Sequence, residues 1–264
     1  MTACIQVEKL RSLLGGRRYG HTIHYTETST STQDIAAKFI REGADEGLLV
    51  LAETQTAGRG RLARTWYSPP GSGIYMSLIL KPHLPQRHMP QLTIVAAAAL
   101  CRVLRRLTGL DIHLKWPNDL LVNGRKISGI LVESFSHEGE TWMILGVGIT
   151  VNVRQDEFPD WLQHRATSLA AASGRTWDRE EIIASFLHEL ELLIDLYLQE
   201  GFSVFRTIWD LYAWQPDEPI ELTTPQGAIR GEPIAIDENG ALVIKLEGGN
   251  ETYIYSGEII ASTS

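Results

Sequence analysis

Asn123-Gly124, set between Leu120-Leu121-Val122 and Arg125-Lys126-Ile127, commits the middle of the chain to an antiparallel pair of strands. An Asn-Gly pair takes φ > 0 at both central positions and closes a two-residue type I′ turn, whose twist matches that of the flanking strands. Such a loop opposes Val122 to Arg125, Leu121 to Lys126 and Asp119 to Ser128. Side chains alternate along each strand, so Asp119, Leu121, Lys126 and Ser128 are expected on one face. A carboxylate and an ammonium then lie diagonally, within reach of one bound ligand. Pro117 biases Trp116 towards an extended conformation and marks the bend into the hairpin. Gly129 is expected to leave the opposite face open for a close packing contact or a ligand. In isolation Lys126 reads as an exposed strand lysine, and Asp119 as a turn residue bonding its own backbone.

A second feature lies upstream. Gly58-Arg59-Gly60-Arg61-Leu62-Ala63-Arg64-Thr65-Trp66 puts three arginines and two glycines before an aromatic residue. Glycine lets the backbone approach a ligand closely. Arginine offers planar multi-donor forks that suit phosphate and carboxylate oxygens. Most short arginine runs are solvated surface loops, but the chain as a whole carries a net charge of −8, and this basic cluster runs against that background.

Together these two blocks resemble the biotin protein ligases, which join biotin to a carrier-protein lysine through an adenylate. The resemblance runs over most of the chain: Ser31-Thr32-Gln33-Asp34, Glu53-Thr54-Gln55 leading into 58–66, Lys115-Trp116-Pro117-Asn118-Asp119, Arg125-Lys126 with 129–133, and Gly146-Val147-Gly148-Ile149. A C-terminal stretch, 231–240 with Ser256-Gly257-Glu258, is also similar to the family. Lipoate ligases share the implied fold but not the two central blocks. Three positions depart from the family pattern. Gln33 stands where asparagine is common and keeps the same donor and acceptor. Ala63 replaces a third glycine, at about 1 kcal/mol if that position needs φ > 0. Thr150 replaces an asparagine, which keeps an oxygen but loses the amide.

The resemblance implies an α+β fold: a mixed β-sheet flanked by helices, like that of the class II synthetases, with a small C-terminal SH3-like β-barrel. It implies biotin, ATP and Mg²⁺ as ligands. Ser31, Thr32, Gln33 and Gln55 are expected around the ureido head group, with Arg59, Gly60, Arg61, Lys126 and Gly129 along the rest of the biotin site. Arg61, Arg64, Trp66, Asn118, Asp119, Gly148 and Thr150 are expected at the nucleotide, with Asp119 also reaching the metal. Arg59, Arg61 and Lys126 are the expected catalytic groups: biotin's carboxylate and the α-phosphate are both anionic, and cations are needed to bring them together. No covalent nucleophile on the enzyme is expected, since the second nucleophile is a lysine of the acceptor. The loop 55–73 is expected to be mobile without ligand, its arginines repelling one another, and to close over the adenylate. The implied acceptor is the biotin carboxyl carrier domain of a carboxylase. Two alternatives stand beside this reading: a lipoate or octanoate ligase, which would want an apolar tunnel, and a non-catalytic biotin-sensing DNA-binding regulator. The Ser31 motif begins after thirty residues, too few for a winged-helix domain, which argues against the regulator.

Composition agrees with a cytoplasmic enzyme. At 264 residues and 44% hydrophobic content the chain supports a sizeable core. No apolar run approaches the ~18–20 residues of a membrane span, and no secretory signal is evident. Cys4 and Cys101 have no metal-like spacing. Net acidity without a basic stripe argues against nucleic-acid binding. Strands are expected at 48–52, 74–80, 112–115, 127–132 and 142–147, and helices at 31–41, from Pro90 to near Gly109, from Asp178 to Gly201, and through Phe205 and Trp209. A boundary near Gln215-Pro216 divides 1–214, a catalytic domain, from 215–264, whose short alternating runs suit a barrel that leans on the larger domain. A monomer and a homodimer joined at an exposed sheet edge are both compatible with the chain.

Overall fold

In the computed structural model, residues 4–82, 84, 85 and 88–260 are described. Helix α1 (Val7–Leu14) precedes strand β1 (Ile23–Ser29), α2 (Thr32–Arg41), β2 (Leu49–Gln55) and β3 (Gly73–Leu80). Then follow α3 (Met89–Thr108), β4 (Ile112–Lys115), β5 (Asp119–Val122), β6 (Arg125–His137) and β7 (Glu140–Thr150). Three helices come next, α4 (Leu169–Ser173), α5 (Arg179–Glu200) and α6 (Ser203–Tyr212). The C-terminal part holds β8 (Ile220–Thr224), β9 (Gly227–Ile236), β10 (Leu242–Leu246), β11 (Glu251–Ile254) and β12 (Glu258–Ile260).

Local chemistry sets the helix ends. Ser31 caps α2 by accepting the Gln33 amide, and Asp178 caps α5 by accepting that of Glu181. Pro90 sits in the first turn of α3, and Gly109 ends it at φ 71°. Ala96–Ala99 of α3 are all buried, so this helix packs tightly between the sheet and α5. Among the described residues no helix is long and apolar enough to cross a membrane.

β1 to β7 form one mixed sheet in the order β1-β2-β3-β7-β6-β5-β4; β1 and β2 are parallel and the other pairs antiparallel. Its two faces differ. Leu49, Leu51, Met76, Leu78, Leu120 and Ile149 point into a large apolar core with α1, α3 and α5. Val50, Ile79 and Ile144 point the other way, under α2. Beyond the reach of α2, that second face carries glycines and charged residues.

The central hairpin turns at Asn123 (φ 49°) and Gly124 (φ 72°), both positive as a type I′ turn requires. Its register departs from expectation at one point. Leu121 opposes Lys126, but Leu120 opposes Ser128 and Asp119 opposes Gly129, so Ile127 is an extra residue in a β-bulge. Ser128 therefore turns to the helix-covered face, opposite Leu120 and Ile149, where its hydroxyl donates to the Gly148 carbonyl at 2.7 Å. Gly129 joins Asp119 and Lys126 on the open face, a correction to the expected pairing.

β8–β12 form a five-stranded antiparallel sheet in the order β11-β10-β9-β8-β12. Among the described residues β11 and β12 are its edges and do not pair, so the expected closed barrel is an open sheet. Ile220, Leu222, Ile236, Leu242, Ile244, Ile254 and Ile259 belong to the same apolar core as α3 and α5. So small a sheet has little core of its own, and it shares one.

Candidate active site

The open face of the large sheet holds a trough. Residues directly opposed across neighbouring strands share a face, and Lys115, Asp119, Gly129 and Gly148 stand in one such row across β4, β5, β6 and β7. The glycines make the floor. The Trp66 indole packs against it: a side chain at Gly148 would overlap the ring, and a Cβ on Gly129 would come within 3.0 Å. Two residues along β7, a Cβ on Gly146 would press on the Gln33 amide at 3.0 Å. Lys126 Nζ meets Asp119 Oδ1 at 2.7 Å and sits 5.3 Å from the Trp66 ring centre. The Lys126 backbone is held from outside by Arg165 and Thr167 through bonds of 2.9 and 3.0 Å.

At the α2 end lies a polar pocket. The Gln55 side-chain oxygen accepts the Thr32 amide at 2.9 Å, and its nitrogen donates to Ser68 Oγ at 3.2 Å. Ser77 donates to Thr32 Oγ1 at 2.8 Å. Gln33 Nε2 donates to Glu133 at 3.0 Å.

The arginine loop is a small hairpin. An Arg59–Thr65 bridge, Gly60 N to Arg64 O at 2.7 Å and Trp66 N to Gly58 O at 2.8 Å close it. Each of its three arginines has an acceptor. Arg59 pairs with Asp34 at 2.7 Å and Glu133 at 3.6 Å; burial disfavours its charge, and the two carboxylates more than restore it. Arg61 donates to the Gly257 carbonyl at 3.3 Å, and burial lowers its affinity for its proton. Arg64 pairs with Glu258. Leu62 (φ 55°) and Ala63 (φ 57°) both occupy the left-handed region at the tip, so position 63 does need φ > 0.

Comparison with known proteins turns this geometry into a family. Residues 25–152 match the biotin/lipoate A/B protein ligase family, and residues 217–261 match the biotin protein ligase C-terminal domain. The bifunctional ligase/repressor BirA of Bacillus spizizenii is 39% identical over 241 residues, spanning 91% of this chain and 74% of that protein. The chain belongs to the biotin protein ligase family. The biotin–[acetyl-CoA-carboxylase] ligase of Paracoccus denitrificans is 33% identical over 84% of this chain and 94% of its own. A solved structure of the Aquifex aeolicus biotin protein ligase in complex with biotin and ATP superposes with a TM-score of 0.80 at 30% identity, covering 90% of this chain and 97% of that one.

In this ligase, several expected site residues spend their polar groups on the scaffold. Asn118 donates to the Ile130 carbonyl at 2.7 Å, fastening the hairpin. The Thr150 hydroxyl lies 2.9 Å from the Ile127 carbonyl and 2.5 Å from that of Thr167. Ser31 is the α2 cap. Gly60 is in the loop hairpin, where its amide donates to the Arg64 carbonyl. Residues that the sequence reading left without a role also converge on the trough: Ser68, Ser77, Glu133 and Lys115. Lys115 was within reach, because it opposes Asp119 across a three-residue turn. Ser77 had no local signal, since it lies within an otherwise apolar strand.

Proposed function

We propose that the ligase activates biotin as biotinyl-5′-AMP with ATP and transfers it to a lysine of a biotin carboxyl carrier domain, in the cytoplasm and without nucleic acid. One observation carries this reading. Of the buried side-chain polar atoms without a hydrogen-bond partner among the described residues, two line the trough: Gln33 Oε1 and Trp66 Nε1. Buried polar atoms are normally satisfied, and an acceptor and a donor left open along one groove suit a ligand carrying complementary groups. Gln33 Oε1 suits a ureido N–H. The pocket of Thr32, Gln55, Ser68 and Ser77 is polar, which favours a ureido ring over the alkyl chain of lipoate or octanoate.

With the head group at that end, the biotin chain runs over Gly146 towards Lys126, and the Trp66 ring, packed against Gly148 and Gly129, lifts to admit it. There a carboxylate oxygen attacks the α-phosphorus, and the bond to the β-phosphate oxygen breaks. Lys126, Arg59 and Arg61 offset the joint negative charge. The acceptor lysine then attacks the acyl carbon as a neutral amine, and AMP leaves with the electron pair of the acyl–oxygen bond. Asp119, a single carboxylate beside the phosphate path, fits Mg²⁺, which takes one or two carboxylates with substrate phosphates and water; bound there, the ion supplies charge neutralisation at the phosphates. Trp66 and the arginine loop cover the adenylate and keep water from hydrolysing it. The test is to mix the protein with ATP, Mg²⁺, biotin and a carrier domain and to follow that domain's mass. A gain of one biotinyl group on one lysine, undiminished by excess octanoate, is the expected result; transfer of octanoate in its place would make the chain a lipoate-type ligase.

A further inference from the structure

Between β2 and β3 the large sheet is split at one end. The two strands pair from Leu49 opposite Leu78 to Ala52 opposite Tyr75 and, among the described residues, no further, although β2 runs on to Gln55 and β3 begins at Gly73. Beyond that point each strand follows its outer neighbour. Thr54 and Gln55 oppose Thr28 and Ser29 of β1, while Gly73 and Ile74 oppose Thr150 and Ile149 of β7. The arginine loop leaves the sheet through this split, with Glu53–Gln55 as one stem and Gly73 at the foot of the other.

One side chain spans the gap from beneath. Ala52 shares the trough row with Tyr75 and Gly148, so Glu53, the next residue, points to the helix-covered face. There Arg179, in the first turn of α5, donates from Nη1 to Glu53 Oε2 and to the Gly73 carbonyl, both at 2.9 Å, and from Nη2 to Glu53 Oε1 at 3.2 Å. Glu53 Oε1 also accepts the Ile5 amide at 2.5 Å. Both side chains of the pair are only 5% exposed. A buried ion pair is a weak source of stability, because desolvation offsets much of its attraction, and apolar side chains of similar volume are often as stable in its place. Apolar side chains could not tie a carboxylate on one stem to a carbonyl on the other, a task that suits the multi-donor guanidinium. The stems in turn hold the chain just after Trp66: Thr54 donates to the Ser68 carbonyl at 2.7 Å, and Tyr75 to the Pro69 carbonyl at 2.9 Å. We infer that Arg179 and Glu53 are positioning residues, which close the split from the far side of the sheet and so hold Trp66 and the arginine loop over the trough. This inference rests on the ligase reading above, in which that loop keeps the adenylate from escaping.

The full chain is compared with Arg179→Met, the double variant Glu53→Leu/Arg179→Met, and Glu53→Gln in three measurements. These are unfolding temperature, tryptic cleavage after Arg59, Arg61 or Arg64 without ligand, and continued pyrophosphate release from biotin and ATP without acceptor, which follows adenylate lost from the site. Arg179→Met leaves the Glu53 carboxylate buried without its cation and should unfold well below the wild type. The double variant removes both charges and should recover most of that loss. If the pair positions the loop, these two variants lose adenylate and are cleaved in the loop alike despite their different stabilities. Each rate is expected to rise about tenfold over wild type, the scale of one lost charge-assisted contact. Glu53→Gln keeps the side chain's shape and one acceptor, so it should fold even where the others do not, with the same two rates raised severalfold. Wild-type rates of adenylate loss and loop cleavage in a folded variant would overturn the inference, as would rates that follow unfolding temperature and return to normal in the double variant. Failure of the wild-type protein to form biotinyl-AMP would instead remove the ligase reading, and loop cleavage in the ligand-free chain then tests the pair on its own.

Discussion

Lys126 sits where an open face, a bulge and a counter-ion meet. The bulge at Ile127 brings Gly129 beneath it, and Asp119 holds its ammonium at 2.7 Å over the trough. Replacing Lys126 with alanine should therefore cut adenylate formation by about a hundredfold, the usual scale for one positioned charge in a preorganised site. A folded Lys126→Ala protein with near-wild-type adenylate formation would contradict the role. At the other end of the groove, Gln33 has an open acceptor, whereas the Gln55 oxygen already accepts twice from Thr32. Gln33→Ala should weaken biotin by roughly 1–3 kcal/mol and leave ATP nearly unchanged; calorimetry with each ligand checks it, and equal losses would mean general damage. The residue types at this site were legible in the sequence because arginine, lysine and aspartate in fixed order carry a chemical meaning. Their partners were less so. Glu133, Ser68 and Ser77 reach the site through strand pairing over long sequence distances, and no short motif records that.

The elements follow the same division. Capped helices and apolar strands were legible: Ser31, Asp178, Pro90 and Gly109 end their helices as their chemistry dictates. β1, α1 and β12 were not. β1 is a half-exposed edge strand of mostly polar residues, and β12 is three residues long, so neither offers an apolar alternation to detect. The bulge was invisible too, because an inserted residue shifts register without changing composition, and it moved Ser128 to the wrong face of the expected hairpin. In the arginine loop, the alanine at 63 adopts φ 57° without glycine's freedom. The left-handed conformation costs an alanine about 1–2 kcal/mol, and glycine's extra unfolded-state entropy returns part of that. Ala63→Gly should thus stabilise the protein by about 0.5–1 kcal/mol in a denaturant titration. A destabilised Ala63→Gly protein would mean that the tip is not held in this conformation.

At the scale of the molecule, the two sheets work as one body. The Trp116 indole donates to the Gly240 carbonyl at 3.0 Å, Gln91 Nε2 donates to the Glu238 carbonyl at 2.9 Å, and the apolar faces of both sheets share a core. The change of pattern near 215 is visible in the sequence, but the shared core is not, since the open sheet's dependence on α3 and α6 appears only in three dimensions. Trp116→Phe, which leaves the Gly240 carbonyl unpaired, should cost roughly 1–3 kcal/mol. It should do so in a single transition, with fluorescence and circular dichroism melting together; two separate transitions would mean that the sheets fold apart. The central claim is that this trough makes an acyl-adenylate from biotin. It is tested most directly by incubating the purified chain with ATP, Mg²⁺ and biotin, without acceptor, and measuring biotinyl-AMP by mass spectrometry against pyrophosphate released. The account predicts biotinyl-AMP and pyrophosphate in equal amounts, dependent on biotin and nearly lost in Lys126→Ala. Pyrophosphate or AMP formed without biotin, or no biotinyl-AMP from a folded protein, would contradict it.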